Sequence, residues 1–280
     1  MAKYDNDHYP VDLSNTPKLI FEMGERFRKE VIDDYDGEKS YSTNQTLASN
    51  PVLVCKGVYL MYLTAAREGE ILLHPSPKVS LTQIDVRGRM LDVVKVEKLN
   101  LKHFSKAVAL HPEEKAERGT GGQYLRRELD LTQSTRAIVT QHLPIDNEWE
   151  NKMWKYIIGR ERFDLANTEQ VLNFDALGGY EKRSAFSHYI KAHFNTPMTD
   201  GNIIYPDDGL TPHQLRHIRV YNMLIEKGWS EVLIQSYLGW SNKDMLEHYV
   251  YIQKMLKSQQ QLELLKSQIN LPGGTLPRYK

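Results

Sequence analysis

The longest stretch with apolar residues on nearly every face runs from Pro51 to Ala66, through Val52, Leu53, Val54, Val58, Tyr59, Tyr62 and Leu63. A helix that is apolar all round belongs at the centre of a core, and the other elements can be set around it. Upstream, Pro17 to about Ile32 keeps Leu19, Ile20, Met23 and Phe27 on one stripe, with Asn15 or Thr16 as cap and proline in the first turn. Downstream the period changes to two. One strand leads up to the turn pair Arg87-Gly88, and Met90–Leu99 alternates well enough to be its antiparallel partner. Arg136–Pro144 is a third strand, followed by a helix carrying Trp149, Met153, Trp154 and Ile157. Further helices are predicted at Thr168–Leu177 and Lys182–Phe194.

Leu210 to Ile252 is punctuated most clearly. Thr211, Pro212 and Gln214 have the form of a capping box with proline in the first turn. That places His213 and Arg216 on one helix face, because residues three apart are neighbours. Gly228 suits the end of this helix, and Ser230 before Glu231 suits the next N-cap. Gly239 closes that second helix, and Ser241 with Asp244 opens a third that ends near Tyr249.

These elements predict an α+β, mostly helical fold with a small antiparallel three-stranded sheet at one edge of a helical core. Residues 1–50 form an arm or linker with one docking helix, residues 51–252 the main domain, and residues 253–280 a C-terminal helix and tail. In that tail Leu256, Leu262, Leu265 and Ile269 make an apolar stripe. Residues 103–135 are an insertion in the hairpin between the second and third strands, and long insertions of this kind usually carry function or disorder.

Composition changes this picture little. Net charge is zero, so any nucleic-acid surface has to be local. The single cysteine, Cys55, cannot form an intramolecular disulfide, which favours a reducing, cytoplasmic setting. Val52–Ala66 is too short to span a bilayer, and MAKYDNDHYP has no apolar signal region, so no membrane partner is expected. No P-loop, dinucleotide fingerprint or Cys/His metal spacing occurs.

Three stretches in order, TAAREGEIL, HQLRH and LGWSNKDMLEHY, resemble the boxes of the tyrosine recombinase (phage integrase) family. The resemblance covers roughly Pro51 to Ile252. It implies that Arg67 is the first catalytic arginine and Glu70 its supporting acid. His213 and Arg216 match the second box, with His217 in support, Trp240 the His/Trp position and Tyr249 the nucleophile. Tyr251, two residues on, stays open as an alternate. The family's lysine lies on a β-hairpin between the arginine boxes; Lys98 fits best, with Lys95 and Lys102 as alternates.

The resemblance implies a site-specific recombinase that cuts and rejoins double-stranded DNA through a 3′-phosphotyrosyl intermediate, with no metal, ATP or other cofactor, as a tetramer on DNA. Planar guanidiniums suit the non-bridging phosphate oxygens, and a lysine or histidine suits proton transfer to the departing 5′-oxygen. Alternatives are a type IB topoisomerase or telomere-resolvase-like strand transferase, and a catalytically idle DNA-binding accessory protein with the same fold. The sequence departs from the family in having only about fifty polar residues before its catalytic part, where a helical DNA-binding domain is typical. An accessory DNA-binding protein is then a possible partner, and Lys115, Arg118, Arg126 and Arg127 in the insertion are candidate phosphate contacts.

Overall fold

The computed structural model describes residues 16–33, 47, 50–72, 76–100, 138–159, 170–177, 183–194 and 210–238. Two compact units, Met1–Arg219 and Val220–Lys280, are taken in turn.

In the first unit, α1 (Thr16–Asp33), α2 (Pro51–Thr64) and α4 (Glu148–Ile158) pack on one another, with the short α3 (Glu68–Leu72) directly after α2. The apolar stripe of α1 is its buried face, with Ile20, Met23 and Phe27 at most 3% exposed. Its approach to α2 is close. A Cβ on Gly24 would overlap the Tyr59 ring, and the Tyr59 hydroxyl donates to the Phe21 carbonyl at 2.8 Å. The N-terminal helix is thus docked into the core of this unit. As its pattern predicts, α2 is buried from Val54 onward apart from Lys56. Asn147 caps α4, accepting from the backbone N–H groups of Trp149 and Glu150 at 2.9 and 3.1 Å. Helices α5 (Arg183–His193) and α6 (Pro212–Tyr221) follow, the last two residues of α6 opening the second unit.

The three predicted strands form an antiparallel sheet, and among the described residues a short fourth strand extends it at one edge. β1 (Lys78–Val86), β2 (Arg89–Leu99) and β3 (Ile138–Pro144) are joined by a two-residue β4 (Gln170–Val171), in the order β3-β2-β1-β4. β4 pairs antiparallel with the start of β1, Lys78 opposite Val171. Of the helix predicted at Thr168–Leu177, Gln170–Val171 are instead this strand and Asp175–Leu177 a single 3₁₀ turn, while residues 168–169 lie outside the described residues. Val171, Phe174 and Leu177 recur at threes like a helix face, but the free edge of β1 offers this segment backbone partners that a helix here would forgo. β2 pairs with β3 from Val93 opposite Pro144 to Leu99 opposite Ile138, so residues 100–137 connect neighbouring strands. The predicted 103–135 insertion lies outside the described residues.

The β1–β2 turn is made as expected by Arg87 and Gly88, both at positive φ (55° and 79°), the type I′ arrangement that matches strand twist. The Asp85 carboxylate accepts the Gly88 N–H at 2.6 Å.

In the second unit a π-helical turn, Asn222–Glu226, leads to Gly228 at φ 63°. Ser230 then caps α7 (Glu231–Leu238), accepting the Leu233 N–H at 3.3 Å. Both punctuation marks are where the sequence placed them. Among the described residues no helix is long and apolar enough to cross a membrane.

Candidate active site

The site begins with how α2 ends. The chain leaves the helix through Ala65 in the left-handed region, φ 50°, with the Ala66 N–H returning to the Met61 carbonyl at 3.0 Å and the Ala65 N–H to Tyr62 at 3.2 Å. This double closure normally uses glycine, and alanine there costs about 1 kcal/mol. The turn aims the Ala65 carbonyl at α6, where it accepts from Arg216 Nη1 at 2.8 Å. Arg67 therefore lies just past the helix, in the link to α3.

Glu70, on α3 and 2% exposed, is the hub. Its Oε2 accepts from Lys98 Nζ at 2.9 Å and from the Arg67 backbone N–H at 3.2 Å, and it lies 3.9 Å from Arg216 Nη1. Its Oε1 is 3.8 Å from Arg67 Nη1. One carboxylate thus gathers three cations from α2–α3, β2 and α6. Burial alone would raise the Glu70 pKa, but the charges of Lys98 and Arg216, with the hydrogen bonds from Lys98 and the Arg67 N–H, hold it below the ordinary carboxylate value. Lys98 is pushed the other way. Burial lowers its pKa from the usual lysine value, opposed by Glu70 and reinforced by Arg216 and Arg67. A lysine so placed parts with its proton more readily than one in water.

Strand parity separates Lys98 from Lys95. Residues three apart on a strand face opposite ways, and Lys98 shares the buried face of Val94 and Val96. Lys95 is on the other face, paired with Glu97 at 2.5 Å and 37% exposed. Lys102 lies outside the described residues.

His213 and Arg216 stand on the first turn of α6 as the sequence requires. The capping box is reciprocal: the Thr211 N–H donates to Gln214 Oε1 at 2.7 Å and the Gln214 N–H to Thr211 Oγ1 at 3.2 Å. Arg216 is buried, Arg67 is a third exposed and His213 faces solvent. Partial burial, with the charges of Arg216 and Arg67, lowers the His213 pKa below 6.5 against a smaller pull from Glu68. The His213 ring meets His217 edge to face, centroids 4.2 Å apart. The structure thus brings Arg67, Glu70, Lys98 and Arg216 together, with His213 close enough to feel both guanidiniums. Trp240, Tyr249, Tyr251, Lys115, Arg118, Arg126 and Arg127 lie outside the described residues.

Two features escape a linear reading. One is the Ala65 carbonyl as a support for Arg216. The other is Arg219, one turn beyond Arg216, which forms a buried ion pair with Glu150 of α4 at 2.5 Å and lies over the Tyr62 ring at 5.3 Å. Helix pattern marks Glu150 as a first-turn acid, but nothing in the sequence joins it to Arg219.

A buried arginine and lysine sharing one carboxylate, beside a second arginine and a histidine at the surface, gather positive charge of the kind that suits a phosphate-like oxyanion. Comparison with known proteins adds a family. Residues 147–255 match the model of the phage integrase family. No curated protein and no solved structure is significantly similar to the chain. The matched segment contains His213, Arg216, Trp240 and Tyr249, whereas Arg67, Glu70 and Lys98 precede it in sequence and reach Arg216 through the fold. Residues 147–255 are thus similar to the phage integrase family, the catalytic family of the tyrosine recombinases, which break and join DNA.

Proposed function

We propose that this protein is a site-specific recombinase that exchanges DNA strands through a covalent 3′-phosphotyrosyl intermediate. The observation that carries the reading is the Glu70-centred cluster, which draws Arg67 and Lys98 to Arg216 from outside the matched segment. Arg67 and Arg216 bind the non-bridging oxygens of the scissile phosphate and stabilise the charge that grows there. Tyr249 attacks phosphorus; the bond to the 5′-oxygen breaks, and Lys98 supplies the proton that oxygen takes up. The phosphotyrosyl ester keeps the bond energy, so a 5′-hydroxyl from another strand reverses the step and no nucleotide is consumed. His213, neutral near pH 7, takes and returns the Tyr249 proton, and Trp240 contributes its indole N–H to the phosphate. Glu70 positions the cations and does no bond chemistry. The catalytic domain spans residues 51–252, the protein acts as a tetramer on duplex DNA, and the 253–280 tail links neighbouring protomers.

The test is incubation with a pool of nicked suicide duplexes in EDTA, followed by denaturing electrophoresis. A covalent protein–DNA adduct is expected, lost in Tyr249→Phe and kept in Tyr251→Phe. An adduct that forms only with added magnesium, or that survives Tyr249→Phe, overturns the mechanism.

A further inference from the structure

The β1–β2 ribbon changes its polarity along its length. At its base, the face carrying Val79, Leu81, Val94, Val96 and Lys98 is buried, at most 5% exposed. Followed to the tip, that same face becomes Gln83, Asp85, Met90 and Asp92, all exposed, with Gln83 donating to Asp92 at 2.8 Å. The opposite face does the reverse. Around a buried Val93 it carries Ser80, Thr82, Lys95 and Glu97 near the base, but Ile84, Val86 and Leu91 at the tip, with Val86 43% and Leu91 41% exposed. Arg89 stands on this outer face opposite Val86, and Arg87 is at the turn. A strand pattern serving only the core would keep its apolar residues on one face throughout.

Arg87 is the second observation. The first central position of a type I′ turn calls for Asn, Asp or Gly, and arginine at φ 55° gives up about 1 kcal/mol relative to them. Local strain of this kind is a pointer to function. Neither Arg87 nor Arg89 has an ion-pair partner among the described residues.

We propose that the distal half of this ribbon is a DNA-contacting arm. Its outer face lies against the duplex, with Arg87 and Arg89 on phosphates and Val86 and Leu91 against sugars and groove edges. The inference rests on DNA being the substrate, and charge selects that occupant: both arginines face or flank the apolar face, while Asp85 and Asp92 point away from it. Duplex grooves accept a two-stranded ribbon, and apolar side chains flanked by arginine are a known way of entering them. The tip is nine residues along β2 from Lys98, about 30 Å in an extended strand, so the arm contacts DNA well away from the scissile phosphate.

The test measures equilibrium binding of the full chain to a duplex by anisotropy across a potassium chloride series, in a Tyr249→Phe background so that no covalent step intervenes. Arg87→Asn/Arg89→Gln removes both charges while giving the turn the residue it favours, so the hairpin stays formed. Two lost phosphate contacts are expected to make the log–log salt slope shallower by about 1.8. Val86→Thr/Leu91→Thr keeps strand propensity and is expected to weaken binding several-fold with the slope unchanged. An unchanged slope and affinity in the arginine variant overturns the arm and leaves the recombinase reading standing. Failure of the parent protein to bind duplex at low salt overturns both. A DNA-free dimer in sedimentation that dissociates in Val86→Thr/Leu91→Thr overturns the arm in favour of an interface between copies.

Discussion

Lys98 Nζ lies 2.9 Å from Glu70 Oε2, and neither side chain keeps more than 4% of its surface in solvent. Removing one member of a buried pair leaves the other uncompensated, at about 3–5 kcal/mol. Here the loss is shared by three cations. Glu70→Gln is expected to destabilise the protein by about that amount at pH 7, read from urea unfolding followed by circular dichroism.

The same carboxylate sets an acid limit. Its folded pKa is below its unfolded value, about 4.3 for a free glutamate. Its contribution is therefore fully present above that value and is lost as pH falls through the folded one. Urea midpoints measured from pH 7 to pH 3 are expected to fall more steeply for the wild type than for Glu70→Gln. Parallel curves would show that Glu70 is not held low.

Much of this was legible in the sequence where the controlling interaction is local. The Thr211–Gln214 capping box and the Arg87-Gly88 turn each depend on residues at most three apart, and both form as expected. The Arg67/Glu70 spacing was visible too. That Glu70 also holds Lys98, 28 residues on, and that Arg216 rests on a carbonyl 151 residues before it, follows only from tertiary packing. Thr168–Leu177 shows the same limit from the other side: a helical period in the sequence yielded to an open strand edge that no local pattern announces.

If Lys98 gives its proton to the leaving 5′-oxygen, Lys98→Ala is expected to slow cleavage by about 10²–10⁴-fold. A bridging 5′-sulfur leaves without protonation, so a phosphorothiolate duplex should restore most of that loss. The measurement is the single-turnover rate of adduct formation on both substrates. An Lys98→Ala variant equally slow on sulfur and oxygen would assign the lysine to binding instead.

His213 sits beside two guanidiniums, which, with its partial burial, lower its pKa. Its ring protons are expected to titrate in NMR with a midpoint below 6.5, leaving it neutral at pH 7. In Arg216→Met the midpoint should rise, because one of the repelling charges is gone. A midpoint above 6.5 in the wild type would mean that a carboxylate, Glu68 being the nearest influence, outweighs both arginines.

Arg219 and Glu150 pair two nitrogens with two oxygens at 2.5 and 3.3 Å, each side chain 1% exposed. The pair ties α6, one turn beyond Arg216, to the start of α4, and the guanidinium over Tyr62 ties both to α2. Truncating either partner alone strands a buried charge, so Glu150→Ala and Arg219→Ala are each expected to cost about 3–5 kcal/mol. Replacing both by apolar residues of similar length removes the charges together. Glu150→Met/Arg219→Met is therefore expected to recover most of the loss, with a coupling energy of about 1.5 kcal/mol or more in a double-mutant cycle of Glu150→Met, Arg219→Met and the pair, read from urea unfolding. Purely additive losses would mean that the two side chains stabilise the helices separately, through their packing and not through each other.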